Sequence, residues 1–455
     1  MNPWTAARGM PALPGMSRAA SREPMPPAPA ALSRAAAELA ARSGPQAAYN
    51  LLLQAEVAAG WRKPRLALYD HTLHLIGGGE KYGCTMAHAL QDDFDITLIA
   101  HRAVSLADLM EWYNLDLSRC RIKVMPLDFF PADGPVSPDR VSARTENPFL
   151  AVSRESGNYD FFVNNSMLEM VYPLASVPVF VCHFPERPKG PYFYVPHYPH
   201  LIHNSRYTAE WIAKKWGVAA GHHIYPPVDM EPAAGTAVPK ESIILSVARF
   251  ESGGSKQQAE MVSAFARLRS LAPDAAQGWK LVLCGGSASP NPYLERLRAE
   301  LASRPGLPVE ILANIPLDEL KRQYARASIF WHLCGLGRTN PAHVEHFGMS
   351  TVEAMQNGCL PIVFDGGGQR EIVEHGVCGY RFASVRELLA LTLAAIRDPL
   401  RHEKARHEAR RRGSDFTRSA FGEKVRGFFR HLAEGYAAAA PGGAGQDKKG
   451  GQGAQ

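Results

Sequence analysis

The sequence predicts an α/β protein made of two doubly wound, Rossmann-like domains. Short apolar segments alternate with amphipathic segments along most of the chain, which is typical of parallel sheets covered by helices on both faces. The alternation stops near Pro226 and Pro227 and begins again at Ser242. Because the pattern restarts after a break that contains prolines, we expect a second domain there.

The apolar segments give the predicted strands in order. In the first half of the chain they are LALYD (66–70), ITLIA (96–100), FFVNN (161–165), VFVCHF (179–184) and HLIHN (200–204). In the second half they are SIILSVA, KLVLCGG, VEILAN, SIFWHL and PIVFDGG. Near the end of the chain, the apolar residues between Thr417 and Tyr436 fall on one face of an amphipathic helix, which we expect to pack on the first domain.

These patterns divide the chain into five parts. The parts are an Ala/Pro/Arg-rich extension (1–62), a first domain (63–232), a second domain (233–415), a C-terminal helix (416–436) and a Gly/Ala/Lys-rich tail (437–455). The extension is predicted to be mostly disordered with one helix, and the tail to be flexible. A hinge is expected at residues 229–240, which carry turn residues and no apolar period.

Composition excludes several classes of protein. Charged residues make up 21% and hydrophobic residues 46% of the chain, as in ordinary soluble globular proteins. The net charge of +6 is too dispersed to predict nucleic-acid binding. The seven cysteines are isolated from one another, which predicts reduced thiols and a cytoplasmic location. No segment approaches the roughly 18 to 20 consecutive apolar residues of a membrane span, so any membrane association is expected to be peripheral, on the inner face.

A glycine loop, HLIGGGEKYG, follows the first predicted strand and opens a helix. A dinucleotide-binding G-x-G-x-x-G series from Gly77 would need glycine where Tyr82 stands, so NAD or FAD is not the expected ligand. Gly78 and Gly79 still let the backbone approach a ligand closely, and the following helix presents N–H groups to an anion. A tight strand-to-helix turn without any ligand explains the same residues.

Arg249 and Lys256 are the cations that we expect to face a phosphate group. Arg249 closes a strand, and Lys256 lies seven residues later at the start of a helix. Residues at the carboxyl ends of parallel strands line the cleft of an open sheet. Cations at this edge can stabilise the negative charge of a phosphate or diphosphate group, including charge that develops on a departing one. The alternative is that both residues are ordinary surface charges.

The most informative segment is EHFGMSTVEAMQNGCLPIVFDGGGQREI, residues 345–372. Glu345 and Glu353 are separated by seven residues, and Gly348 lies between them. Ser350 and Glu353 fit the capping box S-x-x-E, which predicts a helix start near Ser350 and would explain Glu353 without a ligand. The combination of acid, glycine turn, helix start, strand and second glycine triplet favours a ligand site.

This segment resembles the E-x7-E region of glycosyltransferase family 4, the group 1 retaining glycosyltransferases with the GT-B fold. The resemblance extends through NSRYTAEWIAKKWGV, IYPPVD and the VARF element, and it covers roughly residues 64–432. The residue patterns EHFGM and TVEAM most resemble those of bacterial relatives of the mannosyltransferases that extend lipid-linked oligosaccharides. The resemblance implies two Rossmann-like domains that face a cleft. It also implies a hexosyltransferase of the EC 2.4 class that acts in polysaccharide biosynthesis. Such an enzyme moves a hexose from a nucleotide-diphosphate sugar to a glycan or a lipid-linked glycan, and mannose is the first expectation for the hexose.

The same resemblance implies roles for residues of the second domain. Arg249 and Lys256 would bind the donor diphosphate, Glu353 the ribose hydroxyls, and Glu345 the hydroxyls of the transferred sugar. The backbone amides of one run of residues would share in donor binding, namely Phe347, Gly348, Met349, Ser350 and Thr351. No metal and no other cofactor is implied.

In the first domain, the resemblance assigns Gly78 and Gly79 to a loop that faces the donor phosphate and the acceptor. His183, just past a strand, matches the histidine that contacts the sugar near the reacting carbon. The sequence departs from the family in two respects. One is an insertion-like segment, GLGRTNPAHV, that directly precedes Glu345. The other concerns the lysine. Members commonly place the lysine closer to the arginine, which leaves Ser255 or Gln258 as alternatives in its role.

Three other functions fit the same sequence. One is a GT-B phosphorylase or nucleotide-sugar epimerase, and another is a non-catalytic GT-B partner subunit. The third is a peripheral membrane adaptor that uses basic helices such as RHEKARHEARRRGS. The presence of both glutamates, both cations and His183 argues against a partner subunit that has lost its activity.

Overall fold

The computed structural model of the protein describes residues 30–130, 141, 144–219, 221–230, 238–251 and 253–440. The strands in these ranges are β1 (Arg65–Tyr69), β2 (Asp95–Ala100), β3 (Arg121–Val124), β4 (Phe161–Asn164), β5 (Val177–Cys182), β6 (His200–His203), β7 (His222–His223), β8 (Glu241–Val247), β9 (Lys280–Gly285), β10 (Val309–Ala313), β11 (Ala327–His332), β12 (Leu360–Phe364) and β13 (Tyr380–Phe382). The helices are α1 (Ala30–Ser43), α2 (Pro45–Ala58), α3 (Gly78–Leu90), α4 (Leu106–Tyr113), α5 (Leu150–Ser156), α6 (Arg206–Trp216), α7 (Gln258–Leu271), α8 (Pro292–Ala302), α9 (Leu317–Arg326), α10 (Met349–Gln356), α11 (Gln369–Ile372), α12 (Val385–Arg397), α13 (Pro399–Gly413) and α14 (Arg418–Ala438). The chain separates into one compact unit that ends at Leu52 and another that contains the remaining residues.

Two parallel sheets confirm the predicted doubly wound α/β fold. The first sheet has the order β3-β2-β1-β4-β5-β6-β7, and the second has the order β10-β9-β8-β11-β12-β13. Every paired strand runs parallel to its neighbour. The strand order reverses between β1 and β4 in the first sheet and between β8 and β11 in the second. Such switch points open a crevice at the carboxyl ends of the strands, where ligands bind in folds of this class.

The apolar segments singled out in the sequence all form strands, whereas β3, β7 and β13 were missed. Each missed strand lies at an edge of its sheet. The residues of β3 are mostly exposed, and β7 consists of two histidines. Because an edge strand pairs on one side only and faces solvent on the other, its sequence lacks the continuous apolar run that marks a central strand.

The helix α14 returns to the first domain and completes its core. The ring of Phe421 packs edge-on against Tyr82, with ring centroids 4.9 Å apart. Farther along the helix, Phe429 lies 6.0 Å from the ring of Phe94. The buried residues of α14 therefore belong to the same apolar cluster as those of α3 and the first sheet.

A buried carboxylate ties the end of α14 to the first sheet. Asp160 is fully buried immediately before β4 and receives two hydrogen bonds from the Arg62 guanidinium, at 2.6 and 2.9 Å. It also accepts hydrogen bonds from the Tyr436 hydroxyl at 2.8 Å and from the backbone N–H of Arg65 at 2.7 Å. Charged groups are tolerated in an interior when they are paired and hydrogen-bonded in this way.

The chain crosses between the two domains twice, and the two crossings contact each other. The backbone N–H of Val228 donates to the carbonyl oxygen of Phe416 at 2.8 Å. Arg418 forms an ion pair with Asp229 beside this bond. Most of the predicted hinge, residues 231–237, lies outside the described residues. The predicted tail overlaps α14 up to Ala438, and residues 441–455 of that tail also lie outside the described residues.

The prediction of a mostly disordered extension was wrong for residues 30–58, which form α1 and α2. These segments are rich in alanine and leucine, which are strong helix formers. Gly44, with a φ of 89°, separates the two helices, and Pro45 begins the second one. Glycine after a helix end and proline at the first position of a helix are favoured placements. Residues 1–29 lie outside the described part of the chain.

The Asp160 cluster can be tested by substitution. Asp160→Ala should lower the free energy of unfolding by roughly 3 kcal/mol, because the mostly buried Arg62 guanidinium keeps only Glu56 as a carboxylate partner and the Tyr436 hydroxyl loses its acceptor. Chemical denaturation would measure this loss. Asp92→Ala is the matched control, since Asp92 pairs with Arg119 where both side chains are more than half exposed, and such pairs contribute about 0 to 1 kcal/mol. Equal losses in the two variants would contradict a structural role for the cluster.

Candidate functional site

The functional residues singled out in the sequence lie at the switch points of the two sheets. In the first domain, the loop after β1 leads to Gly78 and Gly79 at the start of α3. In the second domain, Arg249 follows β8, and His332 ends the neighbouring strand β11. Each group therefore lies at the carboxyl edge of its sheet, where the strand order opens a crevice.

An ion pair joins Lys256 and Glu345, which are far apart in the sequence. The Nζ of Lys256 lies 3.0 Å from the Oε2 of Glu345, and the side chains are only 22% and 19% exposed. The Nε2 of His332 lies 3.3 Å from the same oxygen. Burial raises the pKa of the Glu345 carboxyl, but Lys256 and His332 lower it more, so that its pKa lies well below the usual range. The carboxylate in turn raises the pKa of Lys256, against the effect of burial. Both groups are therefore charged at neutral pH.

The helix α10 begins beside this ion pair with no side-chain cap. Gly348 is the residue before the helix, and its φ of 114° is one that residues with a side chain rarely adopt. The helix starts at Met349, two residues earlier than a capping box with Ser350 as its N-cap requires, and no side chain caps its first N–H groups. The capping-box interpretation of Ser350 and Glu353 was therefore wrong. Uncapped N–H groups at a helix start carry partial positive charge and attract anions.

Glu353 is held by a tyrosine of a neighbouring helix. The hydroxyl of Tyr324, on α9, donates to the Oε2 of Glu353 at 2.6 Å. Tyr324 is fully buried, whereas Glu353 is partly exposed. One carboxylate oxygen is thus fixed by the protein, and the orientation of the carboxylate is set before any ligand binds.

The second glycine triplet supports the backbone of the ion-pair segment. A Cβ atom on Gly367 would lie 2.1 Å from the carbonyl oxygen of Glu345, and one on Gly368 would lie 2.4 Å from that of His346. No side chain fits at either position. The N–H of Gly368 donates to the carbonyl oxygen of Glu345 at 2.9 Å, so the glycines let one loop lie directly on the other.

Side chains next to the triplet continue this support. The Nε2 of Gln369 donates to the Oγ1 of the buried Thr351 at 3.0 Å. The ring of Phe347 packs in the core with Tyr225 and Phe416. The side chains of Phe347 and Thr351 therefore serve packing. The backbone N–H of Thr351 donates to the carbonyl oxygen of Gly348 at 3.0 Å, so this predicted donor-binding amide is already engaged.

The start of α3 lies against the start of α10. A Cβ atom on Gly78 would lie 3.0 Å from the Sδ of Met349, so a side chain there would meet the opposite domain. The residue before α3 is also a glycine, Gly77, and no side chain caps the start of this helix. Two helix N-termini, one from each domain, thus meet at the same place.

His183 is held in the first domain by a polar chain that begins at Asp70. The Nδ2 of Asn165 donates to Asp70 at 2.7 Å and to the carbonyl oxygen of Gly79 at 3.0 Å, which leaves its Oδ1 as the acceptor. The Nε2 of His183 lies 3.3 Å from that Oδ1 and must therefore carry the proton. Burial, with a contribution from His346, lowers the pKa of His183 to about 4. The ring is neutral at physiological pH and has an acceptor nitrogen at Nδ1.

His346 was not singled out in the sequence, although it carries a contact between the domains. Its ring stacks on Phe184 of the first domain, with centroids 3.9 Å apart and planes inclined by 4°. Burial lowers the pKa of His346 to about 4. Within the described ranges, its buried Nε2 has no hydrogen-bond partner. Nearby, the hydroxyl of Tyr207 donates to the carbonyl oxygen of Pro341 at 3.1 Å, in the insertion that precedes Glu345.

A second contact between the domains uses a carboxylate from α11. The backbone N–H groups of Arg206 and Tyr207, at the start of α6, donate to Glu371 at 2.9 and 2.8 Å. The hydroxyl of Tyr225 donates to the same carboxylate at 3.1 Å. Glu371 of the second domain thus caps a helix of the first domain, an arrangement that negative charge at a helix N-terminus favours.

Arg249 is placed differently from Lys256. Its side chain is 72% exposed and pairs with Glu251 at 3.0 Å, rather than with the Lys256–Glu345 pair. The alternatives to Lys256 are also engaged. Ser255 donates to Glu251, and Gln258 donates to the carbonyl oxygen of Arg249 at 3.1 Å.

Sequence reasoning missed the residues that orient the predicted ones. They are Asp70, Asn165, Tyr324, His332 and His346. A signal existed for three of them, because Asp70, Asn165 and His332 end or directly follow apolar strands, where polar side chains reach the carboxyl edge of a sheet. No local pattern marks Tyr324. In the described part of the chain, no cluster of three or more His, Cys, Asp or Glu side chains is arranged to hold a metal ion, and no helix is long and apolar enough to span a membrane.

The buried Asp70 makes a pH-dependent prediction. Burial, and then repulsion from Glu80, raises the pKa of its carboxyl from 3.8 to about 7. The folded state therefore holds this proton more tightly than the unfolded state, so the free energy of unfolding should fall as pH rises towards 7. Between pH 5 and pH 8, Asp70 should lower the free energy of unfolding of the wild-type protein by roughly 2 kcal/mol, and Asp70→Asn should not show this contribution. Chemical denaturation at both pH values, with the exposed Asp92→Asn as control, measures the difference. An unchanged pH dependence in Asp70→Asn would exclude a raised pKa.

Comparisons with known proteins find similarity over part of the chain. Residues 229–414 match the family model "Glycosyl transferases group 1". The chain is 30% identical over 180 residues to the GDP-Man:Man(3)GlcNAc(2)-PP-Dol alpha-1,2-mannosyltransferase of Mus musculus, covering 37% of this chain and 34% of that protein. It is 29% identical over 209 residues to the Homo sapiens protein of the same name, covering 42% and 40%. The chain thus spans about a third to two fifths of the length of these relatives.

Solved structures share the fold over most of the chain. The Anabaena protein HepE, crystallised with UDP and glucose, superposes with a TM-score of 0.61 at 17% identity, covering 81% of this chain and all of that chain. The sucrose-phosphate synthase of Thermosynechococcus elongatus superposes with a TM-score of 0.60 at 18% identity, covering 82% and 100%. The protein therefore has the GT-B fold, and residues 229–414, most of its second domain, match the model of the group 1 glycosyl transferases.

Proposed function

We propose that this protein is a retaining glycosyltransferase that moves a mannosyl residue from GDP-mannose to a glycan acceptor, which is lipid-linked. One observation carries the proposal. The Lys256–Glu345 ion pair lies beside the uncapped start of α10, which meets the uncapped start of α3. A site with a buried cation, a fixed carboxylate and two helix N-termini suits a ligand that combines a diphosphate with sugar hydroxyls.

The donor binds along the second domain in this proposal. Its diphosphate lies at the start of α10, where backbone N–H groups and Lys256 donate to its oxygens. Arg249, which is exposed and borders the same crevice edge, adds a charge-assisted bond of roughly 1.5 to 3 kcal/mol. Glu353 accepts from the ribose hydroxyls with the oxygen that Tyr324 leaves free. Glu345 accepts from hydroxyls of the sugar with Oε1, because Lys256 and His332 both contact Oε2.

The choice of donor and acceptor rests on the curated relatives. Their name specifies GDP-mannose as donor and a dolichol-diphosphate-linked glycan as acceptor. The match to the group 1 glycosyl transferase model covers residues 229–414, which carry the predicted donor residues of the second domain. A lipid-linked acceptor would require the protein to work at a membrane surface, on the cytoplasmic side where nucleotide sugars are available. The basic helix α13 offers positive charge for such a surface.

Transfer proceeds on one face of the sugar in this mechanism. The bond between the anomeric carbon and the diphosphate oxygen breaks, and a bond to the acceptor oxygen forms on the same face. The acceptor proton moves to the departing phosphate oxygen, whose negative charge is stabilised by Lys256, Arg249 and the helix N-termini. His183 is neutral, and its Nδ1 accepts a hydrogen bond from a sugar hydroxyl near the reacting carbon. No metal is required in this scheme, since protein groups supply the positive charge.

Substitutions of Arg249 and Glu353 test the proposed activity. Arg249→Ala and Glu353→Ala should each lower transfer of labelled mannose from GDP-mannose by at least about a hundredfold, the loss that follows from removing roughly 3 kcal/mol of transition-state stabilisation. The fold should remain intact, which circular dichroism would check. Arg322→Ala is the matched control, because that arginine is similarly exposed and pairs with Glu319 on α9. Near-normal transfer by either site variant would refute the assignment.

A ligand screen tests the donor base separately. At a hundredfold excess over its dissociation constant, a ligand stabilises the folded state by about 2.7 kcal/mol. GDP and GDP-mannose should therefore raise the thermal midpoint of the wild-type protein, and the shift should shrink in Lys256→Gln. A larger shift with UDP than with GDP would contradict the proposed base. The absence of a shift with every nucleoside diphosphate would contradict the donor site itself.

A further inference from the structure

A cavity of about 440 Å³, whose lining includes none of the predicted donor residues, lies where α6 of the first domain meets α11 and the end of α13. Its charged lining is dominated by five arginines, namely Arg206, Arg370, Arg381, Arg411 and Arg412. Three carboxylates also line it, those of Glu371, Glu374 and Asp415. Positive charge is thus in excess within the cavity.

The carboxylates are less available than their number suggests. Glu371 is occupied by two backbone N–H groups of α6 and by the Tyr225 hydroxyl. Asp415 forms an ion pair with Arg412 at 2.7 Å. Glu371 keeps its charge, but its oxygens accept from these N–H and hydroxyl groups rather than from a guanidinium. The cavity therefore has more guanidinium donors than carboxylate acceptors.

One arginine in particular lacks a full set of acceptors. The Nε of Arg381 is buried and lies 3.5 Å from the Oδ1 of Asp365. Within the described ranges, this Nε donates no hydrogen bond. Asp365 is shared, because the Nε of Arg370 donates to the same oxygen at 3.0 Å. A buried donor without an acceptor is costly unless a ligand or water satisfies it.

We propose that this cavity binds a phosphate-bearing anion, a phosphomonoester or a diphosphate, as a second ligand distinct from the sugar donor. Guanidinium groups match phosphate oxygens with paired donors, and for that reason arginines cluster at phosphate sites. The volume falls within the range of small-molecule pockets. The same chemistry is offered by a free phosphate compound and by the headgroup of an anionic lipid.

The position of the cavity gives such a ligand a structural effect. Arg206 belongs to the first domain, and the other four arginines belong to the second. An anion held by both sets stabilises the arrangement in which Glu371 caps α6. The site acts on the relative position of the two domains without contacting the predicted donor residues.

Titration calorimetry with inorganic pyrophosphate tests the proposal. Lys256→Gln is the background, because it weakens the predicted donor site and leaves the cavity intact. Adding Arg381→Gln and Arg411→Gln should weaken pyrophosphate binding by about tenfold or more, as expected for the loss of charge-assisted hydrogen bonds. Arg406→Gln is the matched control. This residue lies on the same helix as Arg411 and pairs with Glu403, as Arg411 pairs with Glu408, but it does not line the cavity.

Vesicles distinguish the two sources of the ligand. Sedimentation with phosphatidylcholine vesicles that contain phosphatidic acid should be reduced in the double variant if the ligand is a headgroup, and unchanged if it is a free phosphate compound. Either result is consistent with the site, provided that the calorimetric difference is seen. Equal pyrophosphate affinity in the background and the double variant would overturn the proposal, as would an equal loss in Arg406→Gln. Thermal midpoints of all variants exclude unfolding as the cause. None of these outcomes depends on sugar transfer.

Discussion

The Lys256–Glu345 ion pair is the interaction on which the rest of the site depends. Lys256 lies in the loop after β8, and Glu345 lies in the segment between β11 and α10. The strands β8 and β11 flank the switch point of the second sheet. Two partly buried charges need each other and further donors, and His332 provides one of these. The glycine triplet then fixes the backbone of the same segment by lying directly against it. Orientation of the carboxylate thus comes from side chains and from backbone packing together.

Several contacts between the domains pair a backbone feature of one domain with a side chain of the other. Gly78 leaves room for Met349, and Glu371 accepts from the first N–H groups of α6. Other contacts join two side chains, such as the stack of Phe184 on His346 and the hydrogen bond from Tyr225 to Glu371. Such contacts are small and polar compared with a domain core, and interfaces of this kind permit domain movement. Movement of this kind opens and closes a cleft around a ligand.

Much of the fold follows from the sequence because central parallel strands require uninterrupted apolar runs. The edge strands β3, β7 and β13 lack such runs, and no local pattern marks them. The glycine loops were visible as well, since glycine is needed where backbones approach closely. The helix start at Met349 could not be predicted from the sequence. It follows a left-handed Gly348 that packs beside Gln369, and this packing is a feature of the tertiary structure. Likewise, Tyr324 reaches Glu353 only through tertiary structure, so sequence spacing gave no indication of that bond.

The return of α14 to the first sheet makes the first domain discontinuous in sequence. Its apolar core includes Phe421, Val425 and Phe429, which lie beyond the entire second domain. During synthesis, the second domain has its full sequence while the first still lacks a helix that covers Tyr82 and Phe94. Domains generally fold as units when their residues become available. The second domain can therefore fold first, whereas the first domain must wait until α14 has been synthesised, with part of its apolar surface exposed until then.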